Sequence, residues 1–271
     1  MLGLDLAEYA LFLPAFLTGL AFAIYLPVLG CYLRLRDETL AALAFAQVGA
    51  SGALGAMALE VSLHSGGLSA ALVAAGLKQT VPSGGAQANQ RSTWYALMLV
   101  LAWGVGILLT SNLPMAERLG HALFDGQLLL SGGDQPWLAA LVCGGGLLAL
   151  QLLSRRLLLA QIFPDIWRLR SPHWRGLHLL FDVLAAISIA LATMRLGVMA
   201  VFALLLITPW SAFVRAPNWR AGRWLASWLA VTAYITAFGL ALVWDQPFGP
   251  VLALTLLTVV GLLSLQRPIR N

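Results

Sequence analysis

Nine stretches of nearly unbroken apolar sequence, at 9–33, 39–60, 62–77, 93–111, 137–154, 177–195, 197–214, 222–244 and 248–265, alternate with short polar connections. The runs are continuous, without the polar/apolar alternation of a transmembrane barrel strand. They predict helices, each needing roughly 20 apolar residues to cross a bilayer. The third run is short and glycine-rich, so eight or nine spans are expected. A further apolar piece, 119–130, is too short to span and predicts a re-entrant or interfacial helix within an outer segment, 113–134. The fold class predicted is all-α, a polytopic transmembrane helical bundle forming one domain over residues 1–271.

The polar connections carry the topology. With the N-terminus outside, alternating spans put Arg34, Arg36, Lys78, Arg91, Arg155, Arg156, Arg168, Arg170, Arg175, Arg215, Arg220, Arg223, Arg267 and Arg270 on one side, fourteen of the sixteen Lys and Arg. Only Arg118 and Arg195 fall opposite. The positive-inside rule makes the richer side cytoplasmic and leaves the C-terminus there. The other connections hold Asp5, Glu8, Glu60, Glu117, Asp125, Asp134 and Asp245 and read as the outer face. Composition agrees with a multi-pass membrane protein. The chain is 60% hydrophobic and 10% charged, with a mean hydropathy of +0.85, where a soluble domain is about a quarter charged. In that setting the net charge of +5 is a topology signal and does not point to nucleic acid. Acids precede the first apolar run, which is too long for a signal-peptide core, so no cleavable leader is expected. Cys31 and Cys143 lie in apolar runs and suggest neither a disulfide nor a thiolate metal site.

Small residues and prolines add a second pattern. "GASGALGA", 49–56, and "CGGGLLAL", 143–150, are surfaces on which helix backbones approach closely in lipid. Pro14, Pro27 and Pro209 lie in or near spans, where breaks are tolerated if the backbone is buried or lines a cavity. Both features favour a packed transporter or channel over a simple anchor. The segment 79–92, rich in Gly, Ser and Gln, reads as a cytoplasmic linker.

No phosphate-binding Gly-rich loop ending in Lys-Ser/Thr occurs, and neither His-Glu-x-x-His nor Gly-x-Ser-x-Gly is present. The chain is therefore not expected to be an enzyme or to hydrolyse ATP itself, and no cofactor is expected on it. The connection 160–176 is the most informative. After Arg155 and Arg156 comes a short amphipathic piece, Ile162 to Arg170, with Pro164 at its start and Asp165 in its first turn, where a negative charge suits the helix dipole. It reads either as an interfacial helix with Trp167 and Trp174 at headgroup level or as a contact for a cytoplasmic partner.

That connection resembles the element R-x-L-L-x-x-x-F-D-P-E of the metal-type ABC permeases, the membrane subunits of zinc, manganese and iron importers. Here it reads Arg156, Leu157, Leu158 and Phe163, with Pro164-Asp165 in place of Asp-Pro. Four more stretches agree in order: "LRLRDETLAALAFAQVGA" at 33–50, "LGHALFDGQLLL" at 119–130, "LGVMAVFALLLITPWSAFVRA" at 196–216 with Gly197, Leu205, Ile207 and Pro209 aligned, and "DQPFGP" at 245–250.

The resemblance implies a permease that passes a divalent metal ion, zinc or manganese, inward across the inner membrane. It implies cytoplasmic ABC ATPase subunits that use the ATP and dock on 160–176, through Phe163, Pro164, Asp165, Arg168 and Gly176. It also implies a second permease subunit, as a homodimer, and an extracytoplasmic solute-binding protein. Membrane lipid is the remaining partner. A metal chelate as cargo of the same machine, or a stand-alone channel or ion-coupled carrier, are the alternatives.

Family members carry an Asp and a His four apart at the start of the second helix. In this chain those positions are Ala41 and Phe45, so the resemblance identifies no metal ligand. Asp37 and Glu38, about one turn earlier on the cytoplasmic side, either substitute for those ligands or, the favoured reading, are solvated headgroup-level charges. The pathway candidates are Phe45, Gln47, Ser51 and Asp182. Gln47 and Ser51 share a face that either lines a pathway or bonds a neighbouring helix. An acid in an apolar run is a functional hypothesis by default, although His178, four residues before Asp182, offers a local pair. His64, His121, Asp125 and Asp245 are candidates for an outer vestibule, or ordinary exposed loop residues.

Overall fold

The computed structural model describes residues 6–79, 88–113, 117, 119–120, 122–123, 136–163 and 174–265. Its elements are α1 (Leu6–Leu35), α2 (Thr39–Ala58), α3 (Leu63–Lys78), α4 (Ala88–Asn112), α5 (Pro136–Ile162), α6 (Trp174–Leu196), α7 (Val198–Phe213), α8 (Trp219–Trp244) and α9 (Phe248–Leu265). Each corresponds to one apolar run, and no strand occurs among the described residues. Six helical stretches are long and apolar enough to cross a membrane, namely Phe12–Leu35, Thr39–Ala58, Ser92–Asn112, Pro136–Ile162, Gly176–Leu196 and Trp219–Trp244. α7 and α9 are shorter apolar helices. α3 has 16 residues, a rise of about 24 Å at 1.5 Å per residue, short of a bilayer core of about 30 Å. Residues 88–92, read from sequence as linker, are the first turn and more of α4. Within the outer segment 113–134, the described residues Glu117, Leu119, Gly120, Ala122 and Leu123 are helical.

The chain forms two compact units. One comprises Met1–Cys31, His121–Cys143 and Arg195–Asn271. Within it, Phe16 of α1, Tyr234 and Phe238 of α8 and Phe248 of α9 form an aromatic cluster with centroids 5.1 to 6.3 Å apart. Such pairs add about 0.5–1.5 kcal/mol beyond the area they bury. The Tyr234 hydroxyl donates to the Phe16 carbonyl at 3.0 Å and Ser227 Oγ to the Ile24 carbonyl at 3.2 Å, tying α8 to α1. α7 follows Gly197, whose φ of 85° belongs to a backbone region that side chains disfavour. Midway, Ala203–Ile207 widens into a π turn. Pro209 lacks the N–H that would reach back to the Leu205 carbonyl, and α1 passes beside that carbonyl at Gly30, where a Cβ would collide with it.

The other unit comprises Tyr32–Gly120 and Gly144–Met194. α2 is its centre: 67% of its apolar window is buried, against 17% for α4. This is the small-residue helix. A Cβ on Gly52 would overlap Ala70 and stand 2.8 Å from the Gly66 carbonyl of α3, and one on Gly49 would meet Ala190 of α6 at 3.0 Å. The stripe is therefore a surface on which α2 lies against α3 and α6 backbone to backbone, as its composition predicts. On another side Ser51 Oγ donates to the Ala102 carbonyl of α4 at 2.5 Å.

Candidate functional site

At the end of this second unit where α1 finishes, four charged side chains meet out of solvent. α1 closes through Asp37, whose left-handed φ of 53° is tolerated by Asp better than by most residues. The turn brings the Glu38 N–H to the Leu33 carbonyl at 2.9 Å and folds Glu38 back beside Arg36. Arg36 Nε lies 2.9 Å from Glu38 Oε2. Lys78, the last residue of α3, reaches Glu38 Oε2 at 2.8 Å and Asp182 Oδ1 of α6 at 2.5 Å. Arg36 Nη2 is 3.4 Å from the same Asp182 oxygen, and Gln79 Nε2 donates to the other at 2.7 Å. The four charged side chains are 2–7% exposed. Two cations and two anions cancel, which is how buried charge is tolerated.

The guanidinium of Arg36 also lies 4.5 Å from the Phe181 ring centroid, a cation–π distance. Its Nη1 is buried without a hydrogen-bond partner among the described residues. Burial pushes the Glu38 carboxyl up, but the charges of Arg36 and Lys78 and their hydrogen bonds outweigh it and hold the group at about 2. Glu38 is thus anionic at any physiological pH.

This arrangement corrects the expectation for Glu38, which is buried and doubly paired instead of solvated. Asp37 is exposed, as expected. Asp182 is not confined to a local His178 pair. Its carboxylate takes donors from the ends of α1 and α3. The sequence held a signal for this: an acid in an apolar run needs a cation, and Arg36 and Lys78 were already assigned to its side of the membrane.

The other candidates separate. Phe45 and Ala41 are buried in the packing of α2. Ser51 is used by its bond to Ala102, which favours the helix-bonding reading over the pathway reading. Gln47 is 3% exposed, and its Nε2 has no hydrogen-bond partner among the described residues. His64 and Asp245 are exposed, and Asp245 caps α8 with a left-handed φ of 49°. His121 and Asp125 lie outside the described residues. So do Pro164, Asp165 and Arg168 of the 160–176 connection. Its Phe163 is 52% exposed just after α5, and Gly176 is exposed in the first turn of α6. Among the described residues, no group of three or more His, Cys, Asp or Glu comes together.

Comparison with known proteins supplies the rest. The model of the ABC 3 transport family matches residues 8–267. A solved structure, "PsaBC from Streptococcus pneumoniae in complex with Fab", is similar over 95% of this chain and 92% of that chain, with a TM-score of 0.80 and 19% sequence identity. At that identity the likeness speaks for the fold. No curated protein matched.

Proposed function

We propose, from the premise that this chain belongs to the ABC 3 transport family, that it is the permease subunit of an importer carrying a divalent metal ion, zinc or manganese, across the inner membrane. The observation that carries the reading is the family match over residues 8–267, nearly the whole chain. Cytoplasmic ABC ATPases dock on the 160–176 connection and supply the energy. A second permease subunit completes the pathway, and an extracytoplasmic solute-binding protein delivers cargo to the outer connections. The N-terminus is outside and the C-terminus cytoplasmic. ATP binding closes the ATPase pair and rocks the helices, switching access from one side to the other.

One observation favours a second cargo. The described residues contain no clustered metal ligands, and the buried helix α2 offers a single amide, Gln47, whose Nε2 has no hydrogen-bond partner among the described residues. A metal chelate, recognised by hydrogen bonds and apolar contact, needs no such cluster. Cells lacking the gene, grown with and without a chelator, test both readings through their content of Zn, Mn, Fe and Co. A fall in zinc or manganese restored by the gene supports the first. An unchanged content of all four overturns it.

A further inference from the structure

We infer that Arg36, Glu38, Lys78 and Asp182 are positioning residues that lock the end of α3 to α6, beside the α1–α2 turn, as one moving body during the transport cycle. The inference rests on the reading that ATPase subunits act on the 160–176 connection, because α6 is the helix that follows it in the chain.

Each acid is held by both cations, and each cation by both acids: Arg36 and Lys78 both reach Glu38 and both reach Asp182. Neither α3 nor α6 can leave without stranding its single charge, Lys78 or Asp182, at positions only 2–7% exposed, and an unpaired buried charge is costly enough to forbid partial separation. A continuous shear between α3 and α6 is therefore excluded, while a joint displacement costs nothing at the cluster. Apolar contact between the same helices would tolerate sliding, because dispersion is non-directional. The ion cluster consequently does something that packing does not. It turns a push on α6 into a movement of α3, and α2, the most buried span of its unit, packs against both. The small-residue contacts of α2 with α3 and α6 continue the same body away from the cluster.

The test uses the permease purified with its ATPase in lipid nanodiscs, with spin labels at the exposed positions Leu77 of α3 and Leu180 of α6. In the native cluster the label distance changes by less than about 2 Å, the scale of a small helix shift, between the ATP-free and ATP-trapped states. In Lys78→Met/Asp182→Leu, which removes one charge of each sign and leaves the Arg36–Glu38 pair, the two labels move apart or spread when ATP binds. Lys78→Arg behaves as the native cluster does. A Leu77–Leu180 distance that already shifts with ATP in the native cluster overturns the inference. So does a double variant whose distance stays fixed. Should the double variant fail to accumulate in the membrane, Lys78→Met, which also removes the direct α3–α6 pair, is read by the same criteria. Failure of any ATPase to co-purify is a separate result, and it counts against the ABC-importer reading instead.

Discussion

Lys78 Nζ lies 2.5 Å from Asp182 Oδ1, an ion pair between residues 104 positions apart that joins the end of α3 to the first turns of α6. Removing one partner strands the other. Asp182→Asn leaves two buried cations facing Glu38 alone and is expected to destabilise the detergent-solubilised protein by about 3–5 kcal/mol. Lys78→Met/Asp182→Leu, which strands nothing, is expected to lie within about 1 kcal/mol of the parent. Thermal unfolding followed by tryptophan fluorescence ranks the two. Equal loss in both would mean that the pair is not held as the distances state.

Acidification tests Glu38. Its carboxyl is held at about 2 against an ordinary 4.5, facing Arg36, Lys78 and, across Lys78, Asp182. A folded value below the unfolded one means stability that is fully present above about pH 4.5 and lost as pH falls toward 2. The span is worth about 3 kcal/mol at 1.36 kcal/mol per unit. Comparing the melting temperature of Glu38→Gln with the parent from pH 7 to pH 3 isolates this group, and the gap between them should narrow below about pH 4.5.

Gly52→Leu is expected to prevent close packing of α2 on α3, since the new Cβ alone overlaps Ala70 and presses the Gly66 carbonyl. Overpacking of this kind costs about 1–3 kcal/mol and sometimes more. Gly104→Ala on α4, with open space around it, should be neutral or gain a few tenths. Folded yield after size-exclusion chromatography distinguishes the two.

Gln47→Leu removes a buried donor with no partner among the described residues and is expected to raise thermal stability by about 1 kcal/mol or more. If Gln47 meets cargo, uptake falls in the same variant. A more stable protein that transports normally would take Gln47 off the pathway.

Much of the fold was legible because a bilayer leaves few options. Among the described residues each of the nine apolar runs became a helix, and the small residues of 49–56 did face neighbouring backbones, because continuous hydropathy and small side chains are local properties. Helix lengths were less legible. Residues 88–92 look like linker by composition, yet continue α4, since no Gly or Pro lies between Ala88 and Gly104. The candidate site was harder still. Glu38 looked like a headgroup-level charge because its neighbours in sequence are charged. Its actual partner on α3, Lys78, is 40 residues away, and only the topology signal places the two at the same membrane face. Ser51 had two readings that differ by which helix lies opposite, and the sequence of α2 alone does not name α4.

Metal uptake into proteoliposomes containing the permease, its ATPase and the solute-binding protein separates an importer from a passive pathway. Zinc or manganese is expected to accumulate only when ATP and the ATPase are both present. Accumulation by the permease alone, without ATP, would identify a channel or ion-coupled carrier instead.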